Sequence, residues 1–172
     1  MSKSETITLT DLLARAYTIE REAVDRYADL ADQMEVHNNL ELAALFRKMA
    51  AIEAEHAEQI KDRAKGQALP HISPLAGDWP GAGAPESIGP EDMHYLMTPH
   101  HALKLALAGE QRAAAFFEEM ARIAADAPTR ALAEELAGEE REHVKMAEEM
   151  LSRYPKPEEG WDDDPDPPML QE

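Results

Sequence analysis

Apolar and small residues recur along this chain at alternating steps of three and four, and the steps fall into four runs. The first is Leu13, Ala16, Ala23, Tyr27, Leu30 and Met34, and the second is Leu42, Phe46, Met49 and Ile60. The third is Leu103, Ala106, Ala113, Phe117, Met120 and Ala124, and the fourth is Ala133, Leu136, Ala147 and Met150. Such spacing gathers residues into one stripe of an α-helix, so it predicts four amphipathic helices that pack by their stripes. The punctuation agrees. Thr10 is placed to cap the first helix, with Asp11 in its opening turn. His37-Asn38-Asn39 breaks the first run from the second, and Gly66 is a stop for the second. Thr98-Pro99 and Asp126-Ala127-Pro128 are start signals for the third and fourth, and Pro155 closes the last.

The steps missing from these runs are occupied by glutamate and histidine. Glu20 sits in the first stripe, Glu53 and His56 in the second, Glu110 in the third, Glu140 and His143 in the fourth. A carboxylate and an imidazole three residues apart lie one turn apart on one helix face. The chain is therefore a helical hairpin used twice. One helix of each hairpin carries a single stripe glutamate and the other carries Glu-x-x-His.

Three stretches fall outside the pattern. Residues 1–9 read as a short polar arm. Residues 67–98 collect Pro70, Pro74, Pro80, Pro85 and Pro90 with Gly77, Gly81, Gly83 and Gly89, and they read as a long crossover with one short helix near Glu91–Met97. A connection of that length inside a compact domain needs a reason. Residues 1–154 thus form one domain, an all-α four-helix bundle of two hairpins joined by the crossover. Residues 155–172 are an acidic, proline-rich tail with the composition of disorder. Its Trp161 and Pro167-Pro168-Met169-Leu170 have the form of a docking peptide, against the blander reading of an inert tail.

Position along the hairpins brings the polar residues together. The midpoint of Glu20 and Glu53 is (20 + 53)/2 = 36.5, on the His37 turn, and that of Glu110 and Glu140 is (110 + 140)/2 = 125, beside Asp126. Residues equidistant from a turn sit at one height in an antiparallel pair, here about sixteen residues or ~24 Å from the turn. If the hairpins pack with approximate two-fold symmetry, all four glutamates and both histidines meet. Burying four carboxylates without compensation costs several kcal/mol for each, or neutralises them. Two divalent cations balance the four charges and neutral imidazoles complete the coordination, so the set Glu20, Glu53, His56, Glu110, Glu140 and His143 is expected to hold two metal ions. Oxygen and imidazole donors suit iron or manganese.

Totals narrow the field further. The formal charge is −18 over 172 residues, which disfavours nucleic acid and anionic membranes as partners. There is no cysteine, which excludes disulfides, a thiolate zinc site and a rubredoxin-type iron module. With no signal-like N-terminal run and no membrane-length apolar stretch, a cytoplasmic location is expected. Glu-x-x-His by itself is weak evidence in so acidic a chain. Glu91-Asp92-Met93-His94 is a third copy and reads as chance. Glu55, Glu139 and Glu142 fall off the stripe and read as solvated. His37, His71, His100 and His101 sit at turns or helix ends, where capping or solvent explains them. Tyr27 lies seven residues after Glu20 on the same face. Either it packs in the core with its hydroxyl satisfied, or it hydrogen-bonds a metal-binding carboxylate.

At Glu20, Tyr27, Glu53/His56, Ala108-Gly109-Glu110 and Glu140/His143 the chain resembles the ferritin-like superfamily, and within it the rubrerythrin-type di-iron proteins, over roughly residues 10–153. The resemblance implies a ferritin-like bundle with a non-haem di-iron centre. Glu20 and His56 would hold one iron, Glu110 and His143 the other, with Glu53 and Glu140 bridging. Rubrerythrins usually carry another glutamate one turn after the position of Glu110; here it is Ala113. The carboxylate–histidine exchange associated with rubrerythrin redox cycling is therefore not implied, and His56 is expected to be a permanent ligand. With no cysteine in these 172 residues, no rubredoxin domain is expected, so electrons would come from a separate electron-transfer protein. The implied activity is reduction of hydrogen peroxide, or of dioxygen, by a homodimer or higher homo-oligomer. Iron oxidation and storage is the alternative, hydroxylation of a large apolar substrate a further one, and a metal-free helical interaction module the last. Small residues near the glutamates (Ala23, Ala106, Ala113, Ala147, Gly109 and Gly138) are expected to leave room for a diatomic molecule or peroxide.

Overall fold

The computed structural model describes residues 6–75, 79, 84–86 and 97–160. Among the described residues there are four helices: α1 Leu9–Val36, α2 Leu40–Arg63, α3 Pro99–Arg122 and α4 Ala127–Leu151. Each begins at a side chain that accepts one of the helix's free amide protons. Asn39, Thr98 and Asp126 accept from Leu42, His101 and Thr129. For α1 the cap is Thr8, which accepts from the Asp11 amide, and not Thr10, which lies inside the helix. The polar-arm expectation for residues 1–9 also needs correction at Ile7. That residue is buried, its amide donates to the Ile123 carbonyl at 3.0 Å, and its carbonyl accepts from Ala125 at 2.9 Å. The arm thus supplies partners to the α3–α4 turn, where backbone groups would otherwise be left over.

The turn between α1 and α2 works because Asn38 adopts φ 57°, a left-handed conformation that asparagine tolerates better than most residues. After α2, Lys65 at φ 50° and Gly66 at φ 79° turn the chain away. The helix itself has already ended at Arg63, with Ala64 as its cap.

α1 packs along α2 and α3 along α4, while contacts between the hairpins run mainly from α1 to α3 and α4. The start of α1 lies beside the end of α3, because Ile7 pairs with the α3–α4 turn. Since α2 ends at that same end of the bundle, the chain must travel the bundle's length before α3 can begin. This is the reason for the long crossover. Its described parts are pinned to the bundle. Trp79 is buried against Phe116 and donates to the Ser73 carbonyl, and the Ala84 amide donates to the Pro74 carbonyl at 2.8 Å. Residues 91–96 of the expected helix near Glu91–Met97, the third Glu-x-x-His at residues 91–94, and the tail beyond residue 160 lie outside the described residues; Met97 itself is buried and non-helical.

The apolar core is in two parts. One, at the end where α1 begins, gathers Leu12, Ile19, Ile60, Phe117, Met120 and Leu136 among others. The other, toward the α1–α2 turn, gathers Tyr27, Leu30, Met34, Leu42, Phe46 and Leu103. Between them lies a polar layer. No described helix is long and apolar enough to cross a membrane.

Candidate metal centre

The layer consists of the six residues that interrupt the apolar stripes. Glu20, Glu53, Glu110, Glu140 and His143 are buried, and His56 is partly so, its side chain 17% exposed. Glu139 is half-buried one position away, and Glu55 and Glu142 are exposed. His37, His100 and His101 stand at helix ends and His71 in the irregular segment after α2; His100 Nδ1 lies 3.2 Å from the Tyr154 carbonyl.

Glu53 is the hub. Its Oε2 lies 3.3 Å from His56 Nδ1 and its Oε1 lies 3.1 Å from His143 Nδ1. Around them, Glu20 Oε2 is 3.7 Å from His56 Nδ1, while Glu110 Oε2 and Glu140 Oε2 are 3.3 and 3.6 Å from His143 Nδ1. The two imidazoles stack with centroids 5.5 Å apart and planes 5° from parallel. Two trios, Glu53/His56/His143 and Glu110/Glu140/His143, each bring ligand atoms within 4.8 Å of one another.

Close approach here is not hydrogen bonding. Both oxygens of Glu20, Oε1 of Glu53 and the Nδ1 atoms of both histidines are buried without a hydrogen-bond partner. Orphaned donors and acceptors aimed at one point cost free energy that a cation bound among them would recover. That donor set, carboxylate oxygen and imidazole nitrogen, fits a divalent transition metal.

Electrostatics divides the layer in two. Burial, reinforced by Glu53 and opposed by His56, pushes Glu20 up to about 8. Burial, against the pull of His143, also raises Glu140 well above the usual carboxylate range. For Glu53, burial is outweighed by His143 and His56, and the group is held far below that range. For Glu110, burial is outweighed by the Arg26 charge and His143, which hold it low. The Glu20 and Glu53 carboxylates raise His56 to about 10. Burial opposes protonation of His143, yet Glu110, Glu140 and Glu53 together raise it further still. Without a metal these shifts favour protons as the counter-charge, drawing Glu20, Glu140 and both imidazoles toward their protonated forms and Glu53 and Glu110 toward carboxylates.

Beyond the layer Glu110 has two direct partners among the described residues: Tyr27, which the apolar periodicity includes, and Arg26, which it does not. Tyr27 Oη donates to its Oε1, which is the hydrogen-bonded arrangement of the two weighed for that residue. Arg26 Nη2 donates to the same oxygen at 2.7 Å, and Arg26 Nη1 pairs with Glu86, a buried residue of the crossover. Arg26 was legible in principle, since the steps 23, 26, 30 fit the helix period as well as 23, 27, 30. Gly109 serves this pair. A Cβ there would collide with the Arg26 guanidinium and Glu86 carboxylate, so its space is filled by them and not kept for a small molecule. A Cβ on Gly138 would meet only Arg141 Nη2 at 3.9 Å. Ala113 belongs to the core part at the α1 start. The room near the centre is instead a narrow crevice of about 10 Å³, lined by Tyr27, Phe46, Met49, Ala106, His143 and Ala147 among others. A larger cavity of about 740 Å³ between α1, the end of α2 and residues 66–74 is lined by none of the six.

A four-helix bundle with a buried layer of glutamates and histidines is a ferritin-like protein with a metal-binding site. The rubrerythrin family model matches residues 11–80 and 101–165, and the chain belongs to that family. Among solved structures, the chain is similar to an uncharacterized conserved protein from Magnetospirillum magnetotacticum MS-1, with 38% identity and a TM-score of 0.75 over 88% of this chain and 99% of that one. No curated protein matches.

Proposed function

We propose that the chain is a non-haem di-iron oxidoreductase that reduces hydrogen peroxide, with dioxygen as the other oxidant, using electrons from a separate electron-transfer protein. In this reading Glu20 and His56 hold one ion, Glu110 and His143 the other, and Glu53 and Glu140 stand between, with manganese able to replace iron. The observation that carries it is Glu53, whose two oxygens each face a different Nδ1 at 3.1 and 3.3 Å. Held by these residues, two such ions would supply the two electrons that, with two protons, reduce peroxide to two waters.

The protein's own part is to admit a small reactant and hold protons. The crevice beside His143 and Tyr27 is only about one water in size, which favours the smallest reactants over a large apolar substrate. Its walls are mostly aliphatic and aromatic, so bulk water is kept out. Burial, with Glu110 adding to it, pushes the Tyr27 phenol well up, so its proton stays on Oη at neutral pH. The test is metal analysis followed by oxidation of the reduced protein. Two ions per chain and faster oxidation by peroxide than by dioxygen are expected. Iron far beyond two per chain would move the reading to storage. Ala147→Leu, which fills the crevice wall, should leave metal content unchanged and slow oxidation by about an order of magnitude. An unchanged rate would remove the crevice from the reaction.

A further inference from the structure

Among the described residues, Arg26 and Glu86 are the buried charged side chains outside the six-residue layer. The geometry around them is specific. The Arg26 guanidinium is split between two carboxylates, with Nη2 on Glu110 Oε1 and Nη1 on Glu86 Oε2. Tyr27 donates to the same Glu110 oxygen, so Oε1 is fully engaged while Oε2 is left facing His143 Nδ1 at 3.3 Å. A guanidinium's fork matches both oxygens of one carboxylate, and that bidentate arrangement is the one it takes when nothing prevents it. Here Nη1 faces Glu86, and Nε is buried without a hydrogen-bond partner, so Nη2 alone holds Glu110.

Glu86 is also held where it is. The Ala84 amide donates to the Pro74 carbonyl at 2.8 Å, and the Pro85 carbonyl accepts from Arg112 Nε at 2.8 Å. Gly109 leaves the space that the guanidinium and the Glu86 carboxylate fill against α3. Charge gives a second reason for the pairing. Arg26 and Glu86 cancel, so the four layer glutamates remain matched to two divalent ions. Without Glu86, Arg26 would leave one surplus positive charge in a buried cluster.

We propose that Glu86 is a positioning residue for the metal centre: it pairs with Nη1 of Arg26 and cancels its charge, so that Arg26 anchors Glu110 at Oε1 without setting a surplus cation beside the metal-binding oxygen. The crossover is thereby part of the site. This rests on the reading that Glu110 binds a metal ion.

The test is titration of Co(II) into metal-free protein, followed by equilibrium dialysis and visible absorption, for wild type, Glu86→Gln and the double variant R26M/E86M. Wild type should take two ions per chain. Glu86→Gln should keep one at wild-type affinity and bind the other about tenfold or more weakly, with an altered cobalt spectrum. The double variant, which removes cation and counter-charge together and keeps Tyr27, should return both affinities to within about threefold of wild type. A structural loss alone would make the double variant worse than the single one. Two ions bound normally by Glu86→Gln, or a double variant as poor as it, overturns the proposal. Should Glu86→Gln fail to fold by circular dichroism, the double variant decides alone, near-normal binding supporting the proposal and loss of an ion overturning it. A wild type that takes up no cobalt overturns the metal-centre reading itself.

Discussion

The two hairpins contribute the same ligand set to the buried layer and surround it differently. In the second, Glu110 is anchored by Tyr27 and Arg26, and burial is overcome so that it stays ionised. In the first, Glu20 is equally buried, neither oxygen has a hydrogen-bond partner, and burial raises it to about 8. Both anchoring groups come from the first hairpin, six and seven residues after Glu20. The second hairpin has Phe116 and Phe117 at the same distance from Glu110, and neither side chain can donate a hydrogen bond. Repetition of a helix pair thus gives a symmetric set of donors, while the positions beside them make one half of the centre fixed and the other loose. The histidines follow the same division, with the side chain of His143 8% exposed and that of His56 17%.

Removing the two glutamates separately is the strongest way to break this comparison. Glu110→Ala strips two donors of their shared acceptor inside the protein, whereas Glu20→Ala removes a carboxyl that makes no hydrogen bond. Truncation leaves a similar cavity in both, so the difference between them reads the anchor. Metal-free Glu110→Ala should be less stable than Glu20→Ala by about 2 kcal/mol or more in denaturant unfolding. Equal losses would mean that the Arg26–Tyr27 contacts contribute nothing net.

The fold and the six-residue layer were legible because helix periodicity and hairpin height are set by local geometry. Every residue in the layer occupies a step of a stripe, and burial selects Glu140 over its neighbour Glu139. The anchor was not legible in the same way. Glu86 sits in a segment with no period to read, and its partner is 60 positions away in sequence (86 − 26 = 60). Arg26 competes with Tyr27 for one step, and the apolar pattern favours the tyrosine. Gly109 suggested empty space because a sequence shows a missing side chain and not what fills its place. Thr10 fits a capping rule as well as Thr8 does. Only the pairing of Ile7 with the α3–α4 turn fixes where α1 begins.

The raised groups make the comparison visible in pH. Glu20 rises from 4.5 to about 8 on folding, so its contribution to stability is complete below 4.5 and is lost as pH climbs through 8. His56 rises from 6.5 to about 10, so its contribution is lost as pH climbs through 10. Glu53 and Glu110 are lowered and act oppositely, their contribution being lost only on the acid side of 4.5. Metal-free protein should therefore become less stable from about pH 5 to about pH 10, and Glu20→Gln should remove the lower part of that decline. Loading two divalent ions at pH 7 should displace about four protons, from Glu20, Glu140 and both imidazoles. Proton release in an unbuffered titration measures this directly, and release of one proton or none would contradict the proton-neutralised layer.

The smallest expected effect tests the origin of the asymmetry. Phe117 stands to Glu110 as Tyr27 stands to Glu20, and Tyr27 donates across the layer to Glu110. By the repeat, Phe117→Tyr directs a hydroxyl at Glu20. A hydroxyl buried there without a partner costs roughly 1–3 kcal/mol, whereas one bonded to a carboxylate offsets that cost. The variant should then bind two metal ions as before and unfold within about 1 kcal/mol of wild type at pH 7. Its decline in stability should begin at higher pH if the phenol donates to the acid form. It should shrink, with the Glu20 midpoint moving below 8, if the phenol donates to the carboxylate, as Tyr27 does for Glu110. The second outcome is expected, because a phenol is the stronger donor toward a charged acceptor. A full loss of 1–3 kcal/mol with an unshifted pH curve would show that the repeat extends to the ligands and no further.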